Sequence, residues 1–227
     1  MPIISHRLRF IEKFLFCFKA NFSKIQMEVF REFIYAMFVD CKRMSLASIA
    51  NNTTINYQKL QYFFSESNWS IKELNDIRIK ILQNQRTTQA THKGVLAIDD
   101  TACPKPYAEK TEGAQFQYCG TLGREENCNV AVASCFVSQS KHFPVDFKSY
   151  LPITTPNPKD FKSKLDLAKE LISEAVAKAI PFSSVVVDAW YTSTDLIEFV
   201  ASKNLSLVAE VKSNRSIFFT HPQTKQW

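Results

Sequence analysis

Apolar residues recur along this chain in two ways. Through the first ninety positions they fall three and four apart, as along one side of a helix; later they gather into short runs bounded by glycine, proline or charge. Val29, Phe30, Phe33, Ile34, Met37 and Phe38 form one helical stripe, with Glu28, Arg31 and Glu32 elsewhere on the cylinder, which predicts a packed helix. Ser45 to Ala50 and Asn56 to Phe64 predict two short helices around a polar Asn51-Asn52-Thr53-Thr54 break. Ser70 and Glu73 have capping-box spacing, and Ile71, Leu74, Ile77, Ile81 and Leu82 carry a further helix towards residue 84. Gln83 to Lys93 is polar and predicts a linker. The chain therefore divides into an all-α domain over 1–90 and a second domain over 91–227.

The pattern changes at Gly94-Val95-Leu96-Ala97-Ile98-Asp99-Asp100-Thr101, an apolar run that stops on two adjacent carboxylates. A run of this length predicts a strand buried on both faces, with its acids at the rim of a sheet. Val185-Val186-Val187-Asp188-Ala189-Trp190-Tyr191 repeats the design with one acid. Two parallel strands ending on Asp can bring hard oxygen ligands together around a divalent cation, and strand ends are where open α/β sheets bind ligands. Between them, Cys128 to Val137 and Phe143 to Leu151 predict a hairpin turning at Ser138 to Lys141. Pro152, Pro156 and Pro158 break regularity, Lys159 to Ala179 predicts a helix ended by Pro181, and Ser193 or Thr194 caps another before a last strand at Leu205 to Val211. The order strand, hairpin, helix, strand, helix, strand makes this domain α/β.

Composition narrows the partners. The 227 residues are 45% hydrophobic, enough for a substantial core, and 28 Lys and Arg against 22 Asp and Glu give a net charge of +6, which suits a polyanion without requiring one. Cys17, Cys41, Cys103, Cys119, Cys128 and Cys135 include no CxxC pair, and His6, His92, His142 and His221 are scattered, so a zinc cluster is not expected. The cysteines read as reduced core residues. The apolar patch Phe14 to Phe18 is too short for a secretory leader and no run is long enough to span a bilayer, so a cytoplasmic location is expected. In the short helix pair, Tyr57, Gln58, Lys59 and Gln61 would lie on the second helix, as in a DNA-reading helix-turn-helix; plain helix packing is the alternative.

The order of elements, with Asp closing the first and fourth strands, resembles the RNase H-like fold of DDE transposases. Three blocks resemble the insertion-sequence members of that class: Ile98-Asp99-Asp100-Thr101 with Lys105, then Gln117-Tyr118-Cys119-Gly120-Thr121-Leu122-Gly123-Arg124 with Asn127, then Val187 to Tyr191. The likeness runs from about Ala90 to Ser216, and the earlier segment with Phe63, Phe64 and Trp69 resembles the family's amino-terminal region. The resemblance implies a mixed sheet with flanking helices and an enzyme that cuts and joins DNA at the ends of a mobile element. It also implies two Mg²⁺ or Mn²⁺ ions held by two Asp and one Glu, element-end and target DNA as partners, and a homodimer.

Under the resemblance Asp99 matches the first acidic position and Asp188 the second. Asp100 competes for the first role, although the family's Asp, variable residue, Thr or Ser pattern favours Asp99. The third carboxylate should sit on a helix beyond the last strand, and Glu198 and Glu210 do not have that position. A chain truncated relative to a full transposase, and inactive, is therefore the expectation; a non-catalytic remnant that binds DNA or intact transposase is the alternative. Lys105, Arg124, Lys212 and Arg215 are candidate phosphate contacts, with ordinary solvated surface as the other account of them.

Overall fold

A computed structural model describes residues 8–39, 45–152 and 161–216. The chain forms two compact units, 1–81 and 82–227. Their boundary lies inside the last predicted amino-terminal helix, ahead of residue 90.

In the first unit, α1 (Arg9–Phe16), α2 (Lys24–Val39), α3 (Leu46–Asn51), α4 (Tyr57–Ser65) and α5 (Ile71–Gln83) surround one aromatic-rich core. Phe22, Phe63 and Trp69 lie ring against ring, and the Trp69 indole donates to the Phe63 carbonyl at 2.7 Å. Of the stripe expected on α2, Val29 is buried and Phe30, Phe33 and Ile34 pack against this core, while Phe38 is exposed. Tyr35 and Ala36 are buried as well, the Tyr35 hydroxyl donating to Glu12 of α1 at 3.1 Å and Arg31 pairing with the same carboxylate at 3.2 Å. The expected helix pair is present as α3 and α4. Ser45 caps α3 through the Ser48 amide, Asn56 caps α4 through the Lys59 amide, and Leu60 and Phe63 bury the inner side of α4. On α5, the Ser70 hydroxyl accepts from the Glu73 amide at 3.2 Å, while the Glu73 carboxylate takes a hydrogen bond from Asn21.

The second unit is α/β. Among the described residues its sheet has six strands: β1 (Val95–Pro104), β2 (Gln115–Cys119), β3 (Arg124–Val137), β4 (His142–Tyr150), β5 (Ser184–Val187) and β6 (Ser206–Ala209). β1 runs antiparallel to β3 and parallel to β5, which runs parallel to β6; β2 and β4 both pair with β3. This is the mixed sheet with flanking helices expected of the RNase H-like class. Its helices are α6 (Lys164–Ala177) and α7 (Thr194–Ser202), capped by Ser163 and Ser193.

Burial along β1 and β5 alternates rather than covering both faces. Leu96, Ile98, Val130, Val132, Phe136, Val185 and Val187 are buried with Leu167, Leu171 and Ile172 of α6 and Leu196 of α7. The two helices touch each other, Lys169 of α6 pairing with Asp195 of α7, so both cover one face. The face carrying Val95, Ala97 and Asp99 is only partly covered among the described residues, which corrects the expectation of two buried faces. The helix predicted from Lys159 begins at Lys164, because the Ser163 and Asp166 side chains each take the other's backbone N–H. Pro156, Pro158, Lys159 and Asp160 lie outside the described residues. Of the cysteines, Cys119 and Cys128 are buried as expected, but Cys17 and Cys103 are exposed. Among the described residues no helix is long and apolar enough to cross a membrane.

Candidate acidic site beside the parallel strands

The parallel register of β1 and β5 pairs Leu96 with Val185 and Ile98 with Val187. The next residues are Asp99 and Asp188. The expectation that the first strand stops on its acids is corrected: β1 stays paired with the long β3 past Asp99 as far as Pro104, whereas Asp188 is the first residue beyond β5. Side chains alternate between faces, so Asp99 projects to the face opposite the buried Ile98, and both acids are exposed. Burial raises the Asp99 carboxyl above its ordinary value; the negative charges of Asp100 and Asp188 add to this, against the Asp100 amide and the Lys164 charge. That amide donates to Asp99 Oδ1 at 2.8 Å. The Asp188 carboxylate is fixed in a turn of its own, Oδ1 accepting from the amides of Trp190 at 2.9 Å and Tyr191 at 3.2 Å.

Asp100 has a different environment. One residue further along β1 it belongs to the helix-covered side, where Lys164 donates to Oδ2 at 2.7 Å and the Tyr191 hydroxyl to Oδ1 at 3.4 Å. Of the two neighbours whose roles the sequence leaves open, Asp99 is therefore the one beside Asp188. Tyr191 is fully buried; desolvation first, and then the charges of Asp100, Asp99 and Asp188, push its hydroxyl far above the usual tyrosine range, so it acts as a neutral donor. The part played by Lys164 has no signal in the sequence, where it is one of several lysines near a helix start. Tyr191 stands in the Asp188 block, but nothing there shows that its hydroxyl reaches Asp100.

The paired acids suit a hard divalent cation in chemistry, being oxygen donors with a mutual charge that a cation would relieve. Among the described residues no group of three or more His, Cys, Asp or Glu side chains gathers to hold a metal. Glu198 and Glu210 are exposed, on α7 and just beyond β6. Further along the Asp99 face, a groove of about 310 Å³ is lined by Thr101, Cys103, Glu112, Asn129, Ser149 and Leu151. Among the described residues its lining carries no cationic group.

The predicted basic residues are all exposed. Lys105 follows β1, its amide donating to the Asn127 carbonyl at 2.7 Å; Arg124 opens β3 and pairs with Glu126 at 3.1 Å; Lys212 and Arg215 lie beyond β6. β1, β5 and β6 run parallel; Lys212 comes soon after Ala209, the partner of Val187 in the β5–β6 register, whereas β1 runs on past Asp99 to Pro104 before Lys105. Lys59 lies in the first unit, on the exposed side of α4 with Tyr57, Gln58 and Gln61.

The sequence profile of the DDE superfamily endonucleases matches residues 17–226, nearly the whole chain. This chain belongs to the DDE superfamily endonuclease family. As a member, it is similar to the probable transposase of insertion sequence element IS701 from Microchaete diplosiphon, with 26% identity over 215 residues. That match takes in 92% of this chain and 56% of the relative, so the chain spans about half the relative's length. Among solved structures it is similar to a piggyBac transposase synaptic complex with hairpin DNA, at 15% identity and a TM-score of 0.44, covering 88% of this chain and 51% of that one. A Drosophila P element transposase strand transfer complex gives 9% identity and a TM-score of 0.38, covering 89% of this chain and 48% of that one. The insertion-sequence likeness read from the Asp99, Gln117 and Asp188 blocks agrees with the family match and with the IS701 relative.

Proposed function

We propose that this DDE superfamily member is an insertion-sequence transposase chain whose Asp99 and Asp188 hold a divalent cation at the scissile phosphate of element-end DNA. The observation that supports the reading is the β1–β5 register, in which Ile98 pairs with Val187, so that Asp99 and Asp188 are the next residues along two neighbouring stretches of chain. Mg²⁺ or Mn²⁺ there would polarise the phosphoryl oxygen and favour an oxygen nucleophile, the chemistry needed for strand cleavage and transfer. The protein's own part would be to hold the two acids at a fixed spacing and to seat the DNA backbone. Lys105, Arg124, Lys212 and Arg215 would contact phosphates, and Lys59 would do so from α4 while Tyr57, Gln58 and Gln61 face the bases. A homodimer belongs to the same proposal, each copy taking one element end.

Two carboxylates alone make a weak, open cation site. The absence of a third acidic partner among the described residues favours, as a second reading, a chain that binds DNA without cutting it. A gel shift with element-end DNA, run beside a nicking and strand-transfer assay in Mn²⁺, separates the two. Phosphate contacts release counterions, so binding should fall by about 10³-fold or more between 50 and 200 mM salt if some six phosphates are neutralised. Salt-sensitive binding with no specific nicking supports the second reading; specific nicking lost in Asp99→Ala supports the first. Binding indifferent to salt would contradict both.

A further inference from the structure

The bonds around Asp100 join the two candidate acids. Asp100 follows Asp99 directly, and its own carboxylate accepts from Lys164 at 2.7 Å and from the Tyr191 hydroxyl at 3.4 Å. Tyr191 in turn gives its backbone N–H to Asp188 at 3.2 Å, next to the Trp190 amide at 2.9 Å. Lys164 is held in place by two rings, its ammonium 5.3 Å from the centre of Trp190 and 5.6 Å from that of Tyr150. An unbroken path therefore runs from Asp100 within β1, through the buried Tyr191 ring, to the amides that fix Asp188. Lys164 anchors that path to the first turn of α6.

We propose that Asp100, Lys164 and Tyr191 are positioning residues that set the spacing of the Asp99 and Asp188 carboxylates, and with it the affinity for a divalent cation. The proposal rests on the cation-holding reading of those two acids. The Lys164–Asp100 pair is part-exposed, its side chains at 20% and 27%, so it adds little to stability and its chief effect is on geometry. Groups that orient metal ligands from behind typically change metal affinity by about 10- to 100-fold when removed. Lys164 makes the proposal sharp. Its positive charge opposes cation binding, so removing that charge would by electrostatics alone tighten the site, whereas loss of positioning loosens it.

The test is Mn²⁺ binding to the 227-residue chain by electron paramagnetic resonance, with metal-free thermal unfolding measured in parallel. The variants are Asp99→Asn, Tyr191→Phe, Lys164→Met and Lys164→Arg. Asp99→Asn should abolish binding. Tyr191→Phe and Lys164→Met should each weaken it by about 10-fold or more with little change in melting. Lys164→Arg, which keeps charge, donors and ring stacking, should recover most of the affinity. If Asp99→Asn abolishes binding while Tyr191→Phe binds as wild type and Lys164→Met binds as well or better, positioning is overturned and the cation reading stands. If Asp99→Asn leaves binding intact, the cation reading fails and the proposal with it. Should Lys164→Met fail to fold, Tyr191→Phe decides, because it removes one oxygen and leaves the buried ring. An affinity loss that only follows a loss of folded protein also overturns the proposal.

Discussion

Asp146 on β4 and Lys178 just past α6 meet at 2.8 Å with side chains 21% and 14% exposed, the least exposed ion pair among those described in the second unit. Burial alone would raise the Asp146 carboxyl; the Lys178 hydrogen bond, the Phe147 amide and the charges of Lys178 and Lys148 outweigh it and hold the group below the ordinary value of 3.8. A depressed folded value means that ionised Asp146 stabilises the fold. That contribution is complete above the unfolded value and fades as pH falls through the lower folded one. Urea unfolding should therefore show wild type losing more stability than Asp146→Asn on acidification below about pH 4. Equal losses in the two proteins would show that the pair contributes nothing. At this scale the sequence was partly legible. Asp99 and Asp188 announce themselves as acids closing apolar runs, but the choice between Asp99 and Asp100 needs the strand alternation and the partners Lys164 and Tyr191, which lie 64 and 91 residues from Asp100.

Gly94 opens β1 where Phe136 of β3 crosses it. A methyl group at Gly94 would overlap the Phe136 ring and lie 2.9 Å from the Val137 carbonyl. Overpacking of this kind typically costs about 1–3 kcal/mol, so Gly94→Ala should lower the unfolding free energy of the second unit by that much, with a lower midpoint, and Gly94→Ala with Phe136→Leu should recover part of it. An unchanged midpoint would mean the strand shifts freely there, which its ten-residue pairing with β3 opposes. Elements with strong patterns were readable: the apolar starts of β1 and β5, the β3–β4 hairpin, the α3–α4 pair and both later helices; the stop expected at Asp99 and Asp100 was not, because pairing with β3 carries β1 on to Pro104. β2 was not. Its Gln115–Cys119 run exposes Phe116 and Tyr118 and carries polar residues between them, so neither face has the apolar signal of a core strand. Two-sided burial of β1 was also misread, since a run such as Val95 to Ile98 has the same composition whether helices cover one face or two.

At the scale of the whole molecule, an α-helical unit precedes a mixed α/β unit in which β1 and β5 pair in parallel just ahead of Asp99 and Asp188, within a chain whose sequence matches the DDE superfamily endonucleases over residues 17–226. The general order of elements and the family were legible because acid-ended apolar runs with a Gln117 to Arg124 block between them are a specific pattern. The position of the unit boundary was less so, because the polar stretch after Gln83 is tied down: Thr88 bonds the Leu82 carbonyl at 2.8 Å, and Lys141 bonds the Arg86 and Gln89 carbonyls. The account turns on one claim, that Asp99 and Asp188 share a cation. Fe²⁺ accepts the same oxygen ligands and, with ascorbate and peroxide, cuts the polypeptide beside its site, so mass spectrometry of the fragments reads the site's position directly. The account predicts paired cuts, close to residue 99 and close to residue 188, that disappear together in Asp99→Asn or Asp188→Asn and are suppressed by excess Mn²⁺. Cuts at only one of the two positions, or paired cuts that survive in both variants, would contradict it.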